Sequence, residues 1–260
     1  MPAPELKRSA TPKQSFRSRV GGYLGGKLGI PSAADQTLSV AQQENCQTAL
    51  DLGCGVSSHL SALRPEIKTF GIDADPGSIE EARANNVHDG YALADIVQTP
   101  IEDLRAILQE AVGQTQFDIV TAYGVIEHLT KRDGWELLEK CEALSCKYVL
   151  LETPNGFVPQ GPEFGNPLQR HLSGWFPNDF RGVGYTVYGS TGTKYLRGYM
   201  GSARLPIPGT LLFDQVVLSR VLRSVSAPQH AFNLVAVKDT RGVPARYATR
   251  EGFRAKQLAA

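Results

Sequence analysis

Short apolar runs alternate with amphipathic stretches between residues 48 and 151. The runs have the length of buried strands, and the stretches between them show helical spacing of apolar positions. Strands are predicted at 48–52, 69–72, 91–94, 117–122 and 147–151. Helices are predicted at 33–45, 57–63, 76–85, 101–111 and 133–144. Strands and helices that alternate in this way predict a doubly wound α/β fold with a largely parallel sheet.

The alternation becomes looser after residue 153. A short helix is predicted at 178–181, a strand at 186–188, an amphipathic helix at 211–225 and a last strand at 232–237. The stretch 189–229 is therefore interpreted as an insertion between two late strands. The apolar face of the 211–225 helix is expected to pack on the core or to form a lid. The alternative is a helix at a membrane surface, which a basic amphipathic segment can form.

The two ends of the chain differ from its middle in composition. Residues 1–30 are polar, rich in glycine and basic, and residues 241–260 are also basic. We interpret 1–30 as a flexible arm, 31–240 as one domain that contains the insertion, and 241–260 as a tail. Loose, solvated ends are the expectation, and contact with an anionic partner is the alternative.

Composition limits the possible classes. The chain has 260 residues, 42% of them apolar and 20% charged, which is typical of one globular domain. Its 27 basic and 26 acidic side chains nearly balance, so the net charge argues neither for nor against a nucleic-acid partner. The four cysteines form no CxxC pair, which favours a reduced cytoplasmic protein without structural zinc. No apolar run has the length of a membrane span. Membrane association is not expected, and the oligomeric state stays open.

A glycine turn follows the first predicted strand. Asp51, Gly53 and Gly55 lie in the run Ala-Leu-Asp-Leu-Gly-Cys-Gly. Glycine permits a sharp turn and a close approach of a ligand to the backbone. Dinucleotide-binding turns need a third glycine near position 58, where this chain has Ser58. Because Asp51 also suits a cation better than a diphosphate, the turn favours a cationic nucleoside over NAD.

Two further acids end the next two predicted strands. Asp73 is placed to accept both hydroxyls of a ribose, and Asp95 the amino group of an adenine. Helix N-capping is the structural alternative for each acid. Three acids at three successive strand ends predict a pocket for S-adenosylmethionine, which carries a sulfonium and an ammonium group.

These motifs resemble the class I S-adenosylmethionine-dependent methyltransferases over about 46–185. The resemblance rests on the runs Asp-Leu-Gly-Cys-Gly at 51–55, Gly-Ile-Asp at 71–73, Ala-Asp-Ile at 94–96 and Phe-Asp-Ile-Val at 117–120. It implies a Rossmann-like, seven-stranded sheet with a reversed last strand, for which 232–237 is the candidate. It also implies S-adenosylmethionine as cofactor and S-adenosylhomocysteine as product. The implied cofactor-binding residues are Asp51, Gly53, Cys54, Gly55, Asp73, Ala74, Asp95, Ile96, Tyr123 and Gly124.

Two histidines are the candidate catalytic residues. His128 follows the fourth predicted strand, and His171 lies in a long polar segment after the fifth. Loops after parallel strands gather at the carboxyl edge of the sheet, where a ligand would bind. Either imidazole could take the proton of an acceptor hydroxyl. The alternative for both is a purely structural hydrogen bond.

The run Val-Ile-Glu-His at 125–128 also resembles ubiquinone-pathway O-methyltransferases and small-RNA 2′-O-methyltransferases, which hold a divalent metal. Their pattern has another glutamate where this chain has Gly124. Glu127, His128 and His171 would form an incomplete metal cage, so no metal site is predicted.

The acceptor is predicted from less specific runs. Glu-Thr-Pro-Asn-Gly at 152–156 and His-Leu-Ser-Gly-Trp at 171–175 resemble bacterial methyltransferases found among glycan and secondary-metabolite genes. That resemblance implies O-methylation of a sugar or small-metabolite hydroxyl. The alternatives are a nitrogen or carbon of a small molecule, a lipid-linked or nucleic-acid acceptor, and a non-catalytic cofactor-binding module. A nucleic-acid partner is not expected, because the chain has Ala-Tyr-Gly-Val at 122–125 where nucleic-acid amine methyltransferases usually have an Asn/Asp-Pro-Pro-aromatic turn.

Overall fold

The computed structural model describes residues 32–64, 66–162, 166–198, 201–205, 207–222 and 224–242. The predicted arm at 1–30 and nearly all of the predicted tail at 241–260 lie outside the described residues.

Seven strands form one mixed sheet. They are β1 Thr48–Leu52, β2 Lys68–Asp73, β3 Gly90–Leu93, β4 Phe117–Tyr123, β5 Ser145–Pro154, β6 Thr186–Thr193 and β7 Ala231–Asp239. Their order is β3-β2-β1-β4-β5-β7-β6. The five strands from β3 to β5 are parallel, and β7 runs antiparallel between β5 and β6. The predicted Rossmann-like sheet with a reversed strand is confirmed.

Helices cover both faces of the sheet. They are α1 Ala33–Gln43, α2 Pro76–Ala84, α3 Ile101–Val112, α4 Lys131–Leu144, α5 Pro177–Arg181, α6 Thr210–Phe213 and α7 Ser219–Val221. Local chemistry sets several boundaries. Asp75 caps α2, with Pro76 at its first position. Thr130 caps α4 by accepting a bond from the Asp133 amide. Gly113, in the left-handed conformation, ends α3.

The core has two layers, because successive side chains of a strand point to opposite faces. Leu151 packs with the side chains of α3, α4 and α5 on one face. Its neighbour Leu150 packs with those of α1 on the other face. Burial on both faces explains the continuous apolar runs of these strands.

One predicted helix is wrong. Residues 57–63 form only a single 3₁₀ turn, His59–Ala62. The Ser58 side chain accepts a bond from the Leu60 amide and donates one to the Asp51 carboxylate, which holds this segment in a tight turn. A serine used in this way competes with regular helix formation.

The predicted helix at 211–225 is also not regular. A π-helical turn, Asp214–Leu218, separates α6 from α7, and the helical segment ends at Val221. Leu211, Leu212, Phe213, Val217 and Val221 are exposed, whereas Val216, Leu218, Leu222 and Val225 are half-buried, so only part of its apolar surface is covered. The preceding strand β6 extends to Thr193, so the insertion covers 194–230. No helix of the described residues has the length and hydropathy of a membrane span.

Candidate cofactor and catalytic site

A pocket lies at the carboxyl edge of the sheet, where β1 to β4 end. Its lining residues are Gly53, Gly55, Asp73, Ala74, Ser78, Asp95, Ile96, Val97, Gly124, Val125, His128, Leu129, Asn166, Leu168 and Gln169. Seven of the ten predicted cofactor residues are among them, namely Gly53, Gly55, Asp73, Ala74, Asp95, Ile96 and Gly124. Their distribution over four strand ends agrees with a ligand that lies across the edge of the sheet.

The glycine turn follows β1 and forms one wall. Gly53 and Gly55 have positive φ angles of 74° and 55°. A Cβ atom on Gly53 would lie 2.7 Å from a methyl carbon of Val125, whereas one on Gly55 would meet no atom within 4 Å. Gly53 is therefore required by packing and backbone conformation. Gly55 leaves open space in which a ligand can approach the main chain.

Asp73 and Asp95 provide the two carboxylates of the pocket. Asp73 accepts bonds from the amides of Gly55 and Asp75, at 2.8 and 2.9 Å, which ties the end of β2 to the glycine turn. Asp95 accepts bonds from the amides of Val97 and Gln98, at 2.8 and 3.1 Å. Neither acid is a helix N-cap, since Asp75 caps α2 and Pro100 precedes α3. A carboxylate offers about four acceptor positions, so both acids retain capacity for a ligand.

The charge of the lining suits a cationic nucleoside. Among the described lining residues Asp73 and Asp95 are the only acidic side chains, and no Lys or Arg is present. A diphosphate would meet repulsion here, whereas a sulfonium or ammonium group is attracted. The residues therefore fit S-adenosylmethionine and do not fit NAD.

Asp51 has a different place from the one predicted. It lies under the glycine turn and does not line the pocket. Its carboxylate accepts bonds from the hydroxyls of Thr121, at 2.7 Å, and Ser58, and His88 Nε2 lies 3.8 Å away. Burial raises the pKa of Asp51. Asp51 therefore supports the turn from behind, because β1 is central in the sheet and the Asp51 side chain is enclosed by its neighbours.

Cys54 and Tyr123 are likewise outside the lining. Cys54 is buried with Ile79 and Tyr91, and this burial raises the pKa of its thiol. The Tyr123 hydroxyl bonds to Thr37 of α1, on the opposite face of the sheet, and burial raises its pKa. Both residues help to position the ends of β1 and β4, and neither faces the pocket.

The two candidate catalytic histidines are brought together. His128 lies in the 3₁₀ turn after β4 and lines the pocket. The His171 ring packs edge to face against it, with ring centroids 4.7 Å apart. The Glu127 carbonyl accepts bonds from the amides of Leu172 and Ser173, at 2.8 and 3.1 Å. These bonds dock the segment that follows β5 onto the end of β4.

Burial sets the electrostatics of this cluster. It lowers the pKa of His128, with repulsion from His171 as the next contribution, so the imidazole is neutral near pH 7. Burial also raises the pKa of Glu127 to about 7. Glu127 Oε2 and His128 Nδ1 are buried and find no hydrogen-bond partner among the described residues. Polar atoms buried in this way are costly and usually have a role.

Glu127, His128 and His171 also form a possible metal site. One ligand atom from each lies within 4.8 Å of the other two. One carboxylate and two imidazoles suit a transition metal better than magnesium. The structure therefore brings together all three side chains that the sequence indicated as an incomplete cage.

The sequence did not indicate several lining residues. Asn166, Leu168 and Gln169 come from the long segment after β5, and Ser78 comes from α2. The Asn-Pro pair at 166–167 was a usable signal, because it favours a tight turn, and Asn166 Oδ1 accepts a bond from the Leu168 amide. The placement of this turn over the pocket depends on contacts distant in sequence.

The comparison with protein families agrees with this geometry. Residues 50–146 match the family described as "Methyltransferase domain", a range that begins within β1, contains β2 to β4 and includes the pocket residues that follow each of these four strands. No curated protein matches the chain.

Solved structures with a similar fold include several methyltransferases. A SAM-dependent methyltransferase from Archaeoglobus fulgidus is 14% identical, with a TM-score of 0.48, over 86% of this chain and 100% of that one. The plantazolicin methyltransferase BpumL with SAH is 16% identical, with a TM-score of 0.48, over 87% of each chain. The magnesium protoporphyrin IX methyltransferase from Synechocystis PCC 6803 with bound SAM is 13% identical, with a TM-score of 0.45, over 88% of this chain and 86% of that one. Likeness at this level does not identify an acceptor.

Proposed function

We propose that the methyltransferase domain O-methylates a hydroxyl group of a sugar or small metabolite. One observation supports this most: His128, a buried and neutral imidazole, lines the same pocket as Asp73 and Asp95. The cavity is therefore lined both by His128, which can accept a proton, and by the two carboxylates that would bind the cofactor.

The cofactor residues act by binding and orientation. S-adenosylmethionine supplies the electrophilic methyl group when bound. Asp73 would accept the ribose hydroxyls and Asp95 the adenine amino group, while the open backbone at Gly55 admits the methionine part. Fixing the cofactor in this way lowers the barrier, because a displacement needs the reacting atoms in line.

His128 would act on the acceptor. A hydroxyl is a weak nucleophile until a base removes its proton, and a base that is neutral at working pH can do this. His171 packs on the His128 ring and would hold its orientation. The requirement for a base favours a hydroxyl over a nitrogen or carbon acceptor, which are the alternatives.

The clustering of Glu127, His128 and His171 favours a second way of activating the same hydroxyl. In that case the three side chains would hold a divalent ion, which would lower the pKa of a bound hydroxyl. The reaction class stays the same, and a chelator distinguishes the two routes.

The test is a methylation assay with purified protein, S-adenosylmethionine and a panel of sugars, small phenols, amines and amino acids. Mass spectrometry should detect the gain of one methyl group on a hydroxyl compound. His128→Ala should lower the rate by roughly a hundredfold or more. His59→Ala is the matched control, because His59 is 56% exposed and outside the pocket lining.

Methylation of amines alone would contradict the proposal, as would an unchanged rate in His128→Ala. Treatment with a chelator should leave the rate unchanged if His128 acts as a base. A complete loss that Mn²⁺ or Zn²⁺ restores would establish the metal route.

A further inference from the structure

The insertion 194–230 leaves the sheet at the edge on which the cofactor pocket lies. Strand β6 runs parallel to β5, because both are antiparallel to β7. The end of β6 at Thr193 and the start of β7 at Ala231 therefore lie at the same carboxyl edge as the pocket. Whatever the insertion binds would therefore be held at the carboxyl edge of the sheet.

The helical part of the insertion has its polar side turned inward. Asp214 and Ser219, one π turn apart, are 0% and 2% exposed. Asp214 accepts bonds from Thr193 Oγ1 at 2.6 Å and from Arg197 Nε at 2.7 Å. The Ser219 hydroxyl donates to the Asp214 carbonyl at 2.7 Å. This network fixes which side of the segment faces the protein.

The opposite side is apolar and faces outward. Phe213, Val217 and Val221 follow one another at intervals of four residues, which places them on one stripe of the helical segment. They are 52%, 42% and 71% exposed. Four more apolar side chains of the insertion are exposed, namely Leu205, Ile207, Leu211 and Leu212. We call these seven residues the apolar patch. Exposed apolar side chains that are concentrated in one segment are typical of an interaction surface.

Charge identifies the kind of partner. Residues 194–230 contain five basic residues, Lys194, Arg197, Arg204, Arg220 and Arg223, and a single acid, Asp214. Since Asp214 is paired with Arg197, no acid of the insertion is left to balance the other four cations. The insertion thus combines exposed apolar side chains with a positive formal charge. This combination favours anionic lipid over a nucleic acid, which has no hydrocarbon layer for apolar side chains to enter.

The same charge disfavours other occupants. Residues 1–31 contain six basic residues and one acid, and residues 243–260 contain four and one. Either segment would bring like charge to the insertion, as would a second copy of the insertion itself. An anionic surface, in contrast, would be attracted by all three basic regions.

We propose that the insertion docks the protein onto the surface of an anionic lipid bilayer. Phe213, Val217 and Val221 enter the interface, and the positive formal charge of the insertion attracts the anionic headgroups. The carboxyl edge of the sheet then faces the membrane. The proposal does not depend on the nature of the methyl acceptor.

The test is co-sedimentation of the full chain with vesicles of phosphatidylcholine mixed with phosphatidylglycerol, and with vesicles of phosphatidylcholine alone. The protein should bind the mixed vesicles, and added salt should weaken this binding. The double variant Phe213→Ser, Val217→Ser should bind at least about tenfold more weakly. Tyr188→Ser is the matched control, because Tyr188 is an exposed aromatic residue of β6 outside the insertion, and it should bind as the unchanged protein does.

Three results would overturn the proposal. The first is the absence of binding to the mixed vesicles. The second is a marked fall in the melting temperature of the double variant without lipid, which would show that other residues of the chain cover the patch. The third is a change of oligomeric state in that variant, which would show that a second copy covers it. Unchanged melting and oligomeric state, together with weakened vesicle binding, would support it.

Discussion

Because Glu127 is buried, the free energy of unfolding is predicted to fall as the pH rises. The substitution Glu127→Gln should remove this pH dependence. Glu127 is 5% exposed, and its Oε2 atom has no hydrogen-bond partner among the described residues. Burial raises its pKa from 4.5 to about 7. The folded protein therefore binds the proton of Glu127 more tightly than the unfolded chain does.

The direction and magnitude of this pH dependence follow from the difference in proton affinity between the folded and the unfolded chain. A raised pKa favours the protonated form in the fold, so the full stability is present below about pH 4.5 and is lost as the pH rises to about 7. A tenfold change in proton affinity is worth about 1.4 kcal/mol, so the loss above pH 7 amounts to about 3 kcal/mol. Glu127→Gln has nearly the same shape and no charge. It should match the unchanged protein near about pH 4.5 and exceed its free energy of unfolding by about 3 kcal/mol near about pH 8.

Urea denaturation at several pH values, in buffer that contains a chelator, measures this difference. Glu102→Gln is the matched control, because the Glu102 side chain is 76% exposed, and it should show no such change with pH. A difference between Glu127→Gln and the unchanged protein that stays flat across the pH range would refute the burial argument. It would mean that the carboxylate has a compensating partner in solution.

Three more predictions test separate parts of the structure. Gly134→Ala would place a Cβ atom 2.3 Å from the Trp175 ring, so it should lower the free energy of unfolding by about 1–3 kcal/mol. The control Gly161→Ala adds its Cβ atom in open space and should change this free energy by less than about 0.5 kcal/mol. An equally small change in Gly134→Ala would contradict the packing of α4. Asp214→Ala leaves the charge of Arg197 buried without its ion-pair partner and should lower stability by about 3–5 kcal/mol. Faster proteolysis of the insertion would show this loss. A rate of proteolysis equal to that of the unchanged protein would count against the hydrogen-bond network around Asp214. Cys146→Ser should not alter the melting temperature, because Cys146 is an exposed free cysteine. Cys141→Ser puts a hydroxyl into the fully buried core and should lower the free energy of unfolding by about 1–3 kcal/mol. Equal melting temperatures of the two variants would show that Cys141 is not buried.

Much of the fold could be predicted from sequence because its signals are local. The strand β1 occupies the predicted range 48–52, and helix α3 differs from the predicted 101–111 by one residue. Most of the parallel strands contain short apolar runs, and several helix boundaries have a cap, a glycine or a proline. The pocket carboxylates Asp73 and Asp95 could be predicted for the same reason, since a residue just after a parallel strand lies at the carboxyl edge of the sheet.

The remaining features depend on contacts between distant residues. The burial of Asp51 requires Thr121 of β4 and His88 before β3, and no local pattern reveals them. The outward apolar stripe of the insertion follows from the bonds of Asp214 to Thr193 and Arg197, which reverse the usual rule that the apolar side faces inward. The position of Asn166 over the pocket likewise depends on where a long loop docks.

The proposed cofactor binding depends on the pocket formed by the glycine turn and the carboxylates of Asp73 and Asp95. Isothermal titration of the protein with S-adenosylhomocysteine tests it directly, with NAD as the comparison ligand. We expect saturable binding of S-adenosylhomocysteine and no binding of NAD. The affinity of Asp73→Ala for S-adenosylhomocysteine should be roughly tenfold to hundredfold weaker, because hydrogen bonds to a charged group are worth about 1.5–3 kcal/mol. Binding of NAD, or an affinity for S-adenosylhomocysteine that Asp73→Ala leaves unchanged, would contradict it.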